Sequence, residues 1–201
     1  MNYGTHQAVP TRFTEAKSTN LVRDALTSNF WISGLAMLKY VPRLFRVKQV
    51  DGNAFFTEGK RDEFHNRVLR ITSANPRQWG TMTVAQMLHH LNLACGGSLG
   101  FYNIPDESYL VSRTVFRWIL VDWYPEQPVG LRLPKGFKIP HGATFDFDFE
   151  REQLLKILDA AWHARSTADW QPHPMFGPMT VEEWGKLLQI HIDYHLRQFA
   201  A

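Results

Sequence analysis

The sequence predicts an all-α protein, a bundle of helices around one apolar core. Three observations predict it. Two segments open with the same start signal, a threonine three residues ahead of Gln or Glu: Thr83 before Gln86 and Thr180 before Glu183. In such a capping box the hydroxyl satisfies an orphan backbone N–H, and the longer side chain reaches back to the cap. Behind each start, apolar residues recur at three- and four-residue spacing, the helical period. Strand-like character is confined to Phe145-Asp146-Phe147-Asp148-Phe149, which alternates, and to the strand-like or irregular connection Val47–Glu58 around Asp51-Gly52-Asn53.

Composition bounds the rest. The 201 residues are 44% hydrophobic and 20% charged, which is globular; a chain this long buries roughly 70% of its unfolded surface without staples. The net charge of +3 comes from dispersed basic residues, so no cationic stripe for nucleic acid forms. A single cysteine, Cys95, excludes an internal disulfide and a Cys-rich zinc site and suits a reducing, cytoplasmic location. The longest apolar stretch, Phe30 to Leu38, falls short of the ~20 residues of a membrane span and has no signal-peptide pattern. It reads as a core or interface helix, with a peripheral membrane contact through Phe30, Trp31, Lys39 and Arg43 as the second reading. If another subunit covers Phe30, Trp31, Leu35 and Leu38, the protein is a homodimer.

Element by element, helices are expected over Arg12–Leu26 and Phe30–Leu44, making residues 1–50 a helical extension of a 51–201 domain. Val47–Glu58 is a connection. Phe64, Val68 and Ile71 mark a helix over Arg61–Ile71, ended by Asn75-Pro76, because the residue before proline resists the helical conformation. The Thr83 helix should fade at Gly96-Gly97 or Gly100. Ser108–Val121 is expected to be helical and leads into an insertion rich in proline and aromatics. There Tyr109, Phe116, Trp118, Trp123 and Tyr124 either pack in the core or roof an apolar pocket. Residues 145–149 are a strand by period, or Asp148 caps a helix from Phe149 to Ala164. The Thr180 helix runs to Phe199.

Nine histidines are the residues most able to carry chemistry. His191 and His195 are four apart and share a helix face; in a chain this rich in histidine about 0.4 such pairs arise by chance. Their placement adds to the signal. Trp184, Leu187, Leu188, His191, His195 and Phe199 form one stripe, and the imidazoles occupy its centre. Burial there is costly without partners, which are either carboxylates and carbonyls or a metal ion, for which neutral imidazole is the commonest nitrogen ligand. On the Thr83 helix the stripe is Val84, Met87, Leu88, Leu91 and Cys95. His90 lies about 100° from its centre and His89 about 160°, so His89 faces solvent or a loop, and His90 can turn inward.

Two longer patterns resemble a known family. Trp79-Gly80-x-Met82-Thr83-x-x-Gln86-Met87-Leu88-x-His90 and His173-Pro174-x-Phe176-Gly177-x-x-Thr180-x-x-Glu183-Trp184-Gly185-x-Leu187 are similar to the two signatures of the DUF1569 branch of the DinB/YfiT-like superfamily. The ending His191-x-Asp193-x-His195-Leu196-Arg197-Gln198-Phe199 extends the likeness to residues 59–201. The resemblance implies a DinB-like four-helix bundle of up-down-down-up topology. It also implies one divalent metal ion held by His90, His191 and His195. Where the family often has a histidine just before the last ligand, this chain has Tyr194, a departure that bears on substrate preference more than on the metal.

Three nitrogen ligands leave a position open for water or substrate, as catalytic zinc sites do. The resemblance thus implies a metal-dependent transferase, using a low-molecular-weight thiol, or a hydrolase acting on a small molecule. The metal would be Zn, Ni, Fe or Mn, and imidazole ligands alone do not choose among such ions. The alternative is a non-catalytic bundle that binds a ligand or partner and whose histidines are structural. Gln86 either caps its helix or orients His90. Asp193 points off the histidine face to the surface, and the His173 segment packs the loop before the last helix. Gly96-Gly97-x-x-Gly100 follows a helix and is no phosphate loop; Cys95, on the buried stripe, is inert.

Overall fold

The computed structural model describes residues 55–123, 134–167 and 170–201. The helices expected over 12–26 and 30–44, the 1–50 extension with Phe30, Trp31, Lys39 and Arg43, and Tyr124, Pro125 and Pro128 lie outside the described residues, as does the side chain of Trp123.

Helix α1 spans Glu58–Arg70. It begins ahead of Arg61 because Thr57, in extended conformation, offers its carbonyl to the N–H groups of Lys60 (3.0 Å) and Arg61 (3.1 Å). It also stops before the proline can act. Ile71 turns extended at ψ 140°, and Asn75 Oδ1 accepts the N–H and hydroxyl of Thr72 at 2.8 and 2.9 Å, an Asx-type turn that competes with the helix.

Helices α2 (Val84–Gly97) and α4 (Val181–Gln198) both carry the complete capping box. Helix α3 is longer than the apolar spacing suggested, Phe147–Ala164. Its cap is Asp146, not Asp148, and the alternating segment forms no strand: Asp146 Oδ1 accepts the Phe149 N–H at 2.8 Å. That one bond outweighs the period-two pattern, because no neighbouring strand is present among the described residues to pair with it.

Phe55, Phe64, Val68 and Ile71, then Met87, Leu88, Leu91 and Cys95 of α2, Leu154, Ile157, Leu158 and Ala161 of α3, and Leu188, Ile192, Leu196 and Phe199 at α4 close into one apolar cluster. Among the described elements, its most extensive helix-to-helix contact is between α2 and α3. Gly96 permits this, since a Cβ there would stand 2.9 Å from Ile157 Cδ1 and 3.0 Å from the Tyr102 ring.

Residues 112–123 coil more loosely than expected, as π-helical turns over Ser112–Phe116 and Trp118–Trp123. Their anchor is the N-terminal half of α4: Arg117 pairs with Glu183 (3.2 Å) and bonds Pro178 O (2.6 Å), and Lys186 pairs with Asp122 (3.0 Å). Of the aromatic set, Tyr109 and Trp118 do not pack in the core, being about half exposed at 48% and 53%, and Phe116 is partly buried. Among the described residues no helix is long and apolar enough to cross a membrane.

Candidate metal centre

Helix α2 delivers His90 and α4 delivers His191 and His195, and the three rings meet. Their centroids lie 5.2 Å (90–191), 4.8 Å (90–195) and 4.8 Å (191–195) apart. One ligand nitrogen from each can be chosen so that all lie within 4.8 Å of one another, close enough for one metal ion. His90 Nε2 and His191 Nε2 are 3.2 Å apart. Two nitrogens at ~2.0–2.1 Å from a tetrahedral zinc are separated by about 3.3 Å, so this edge is already at ligand spacing. His90 and His195 are buried, whereas His191 is only partly so.

Hydrogen bonding decides which nitrogens face inward. His90 Nδ1 lies 3.2 Å from the carbonyl of Phe137, in the short 3₁₀ turn Lys135–Phe137. A carbonyl only accepts, so Nδ1 bears the proton and Nε2 keeps its lone pair. For His195 the same result comes through a relay. Gln198 Nε2 donates to Trp79 O at 2.9 Å, which turns its Oε1 toward His195 Nδ1, also at 2.9 Å. His195 Nε2 is therefore an acceptor, and it is buried without any partner. An orphaned lone pair facing two more imidazoles fits a cation, and each outer bond is of the kind that orients metal-binding histidines.

Electrostatics agree with the lone pairs. Burial pulls the pKa of His90 down to about 4, with the Phe137 carbonyl opposing and His89 adding to the fall. Burial and then His90 bring His195 to about 3, against the bond to Gln198. His191 falls well below its usual value through burial, then through His195, His90 and His173. All three are neutral at pH 7, the state that ligates.

His90 rather than His89 turns inward. His89 instead meets Glu150 on α3 (2.9 Å) and stacks on Phe145 at 3.9 Å. Gln86 serves the cap, accepting the Thr83 N–H at 2.9 Å and donating to Ala143 O at 2.7 Å. Asp193 pairs with Arg67 of α1 and with Arg197, each at 2.8 Å. Burial pushes the Cys95 thiol up to about 12, far from a thiolate nucleophile. Tyr194 packs on Trp79 and edge-on to His195, at 5.5 and 5.0 Å.

Two partners of the triad were not legible as such in the sequence. Phe137 acts through its backbone, which no residue type announces. Gln198 stands three residues after His195, a spacing that places them on one face, but its role depends on the loop that seats it. There Gly80 adopts φ +80°, and a Cβ would stand 2.5 Å from Gln198 Nε2, so the Trp79-Gly80 pair is explained by the glutamine it holds.

No curated protein and no solved structure matches the chain. A family model described as protein of unknown function (DUF1569) matches residues 54–201. All three histidines, the glutamine and the loop that seats it fall within that span, and the chain belongs to the DUF1569 family.

Proposed function

We propose that the protein binds a divalent metal ion through His90, His191 and His195 and uses it on a small molecule, as a thiol-dependent transferase or a hydrolase. The observation that carries this is the convergence of three neutral imidazoles from two helices, with the His195 Nε2 lone pair buried and unpartnered. The reading includes a DinB-like four-helix bundle in up-down-down-up order, with α2 and α4 bearing the ligands.

When bound, the metal supplies Lewis acidity, lowering the pKa of a coordinated water or thiol. The chain's own part is positional. Phe137 O and Gln198 Oε1 lock His90 and His195 with Nε2 inward, and burial removes water that would otherwise protonate or solvate those nitrogens. No fourth histidine, cysteine or carboxylate joins the group among the described residues, which supports an open position for water or substrate.

Metal analysis of protein purified without a histidine tag tests the reading. One equivalent of Zn, Ni, Fe or Mn, or its uptake on addition, is expected, and H191A and H195A should each lose it. No metal in and no uptake by the wild-type protein ends the proposal. Full metal content in both variants also ends it, leaving a bundle with structural histidines.

A further inference from the structure

The carbonyl that orients His90 belongs to none of the four helices. It is that of Phe137, in the 3₁₀ turn Lys135–Phe137 between α2 and α3. An outer bond fixes an imidazole only as firmly as its own backbone is held. Within the turn, Phe137 N–H donates to Pro134 O and Lys138 N–H to Lys135 O, each at 3.1 Å. The N–H of Lys135, at the start of the turn, is an orphan donor of the kind every helix start leaves.

That donor is met from 28 residues upstream, where Glu107 Oε1 accepts it at 2.7 Å. A carboxylate makes the bond charge-assisted, one of the stronger kinds. The backbone of Glu107 is itself tied down: its N–H donates to Pro174 O, on the loop before α4, at 2.9 Å. Next to it, Asp106 accepts the Ser108 N–H at 2.8 Å and pairs with Arg113 at 3.2 Å.

Ile104, three residues earlier, stands between the turn and α2. A Cβ on Gly136 would lie 2.6 Å from Ile104 Cγ2, and one on Gly97 would lie 2.9 Å from Ile104 Cγ1. The two glycines thus let one side chain rest on both backbones. Gly97 ends α2, about two turns beyond His90 on the same helix. Ile104 is therefore a spacer between the helix that carries His90 and the turn that orients it.

Resting on the metal-binding reading, we propose that Glu107 and Ile104 are positioning residues of the metal centre: they seat the Lys135–Phe137 turn so that the Phe137 carbonyl holds the proton of His90 on Nδ1 and leaves Nε2 facing His191. A turn that lifts away frees His90 to change tautomer or rotate, and metal affinity falls with the fraction of molecules that keep the ligating state.

The test compares full-length wild type, E107A, E107Q and I104A by two readouts: Zn affinity in competition with a chromophoric chelator, and the imidazole ¹⁵N resonances of metal-free protein. E107A should bind Zn about 3- to 10-fold more weakly. E107Q, whose amide oxygen still accepts the Lys135 N–H, should recover most of that loss. I104A should act in the same direction as E107A. In metal-free E107A and I104A the His90 nitrogens should move from the Nδ1–H pattern toward a mixture of tautomers, while those of His195, held by Gln198, stay in place. Wild-type Zn affinity or unmoved His90 resonances in E107A and I104A would overturn the proposal, even with a lowered urea midpoint, since the two residues would then support only the fold. A loss in E107Q as large as in E107A would also overturn it, by making the charge rather than the bond the cause. Failure of the wild-type protein to bind Zn would overturn the metal-binding reading instead, and the His90 resonances of the metal-free variants would still decide the positioning role.

Discussion

Gln198 Oε1 lies 2.9 Å from Nδ1 of His195, its neighbour one turn back on α4, and the orientation of that amide is set 2.9 Å away by the carbonyl of Trp79. A loop between α1 and α2 therefore fixes the tautomer of a histidine on the last helix. Q198L removes the acceptor and frees His195 to place its proton on either nitrogen. Metal affinity should fall about 10- to 100-fold with helix content retained, measured by competition with a chromophoric chelator. G80A should act in the same direction and cost about 1–3 kcal/mol of stability, since it adds a Cβ at φ +80° against the glutamine.

The buried histidines make the metal-free protein acid-sensitive. His90 titrates near 4 and His173 and His195 near 3 in the folded chain, against about 6.5 unfolded. Below pH 6.5 the unfolded chain binds protons that the folded one does not, so stability is full above 6.5 and declines as pH falls toward 4. Each such histidine contributes up to about 1.4 kcal/mol per pH unit in that window. Urea midpoints of metal-free protein at pH 7, 6 and 5 should fall steadily; a flat series would show that these imidazoles are protonated when folded.

Glu150, buried at 4% exposure, ties α3 to α2. Asn92 Nδ2 donates to its carboxylate (2.7 Å) and to its backbone carbonyl (2.9 Å), while His89 Nδ1 sits 2.9 Å from the other carboxylate oxygen. N92L strips donors from a buried acid and should cost about 2–4 kcal/mol in urea unfolding.

Asp193 separates a surface role from a catalytic one. Its partners Arg67 and Arg197 lie on the side of α4 away from the triad, and Arg67 also bonds Ala201 O at 2.7 Å. D193N should change stability by about 1 kcal/mol or less and leave metal content untouched. Loss of metal in D193N would contradict this.

Cys95 should be silent toward thiol reagents in the folded protein. It is 2% exposed and its thiol is pushed up to about 12, so labelling should proceed only at the rate of unfolding. Labelling faster than unfolding would mean that α2 opens locally.

Local chemistry made much of this protein readable from its chain. The Thr83–Gln86 and Thr180–Glu183 caps, the stripe of α2 that ends at Cys95, the stripe of α4 through Leu188, and the shared face of His191 and His195 each depend on residues within a few positions of one another, where helical geometry leaves one answer. Helix α3 starts two residues ahead of the Phe149 that the sequence suggests, because Asp146 rather than Asp148 makes the capping bond to the Phe149 N–H, which only the folded chain reveals. Tertiary contact decided the rest. His90 was separated from His89 by what each found across the bundle, the Phe137 carbonyl and His191 in one case and Glu150 in the other. The proton positions on His90 and His195 were set by a turn and a loop distant in sequence. A side chain's face follows from its own helix, but its tautomer follows from whatever group the fold brings to its other nitrogen.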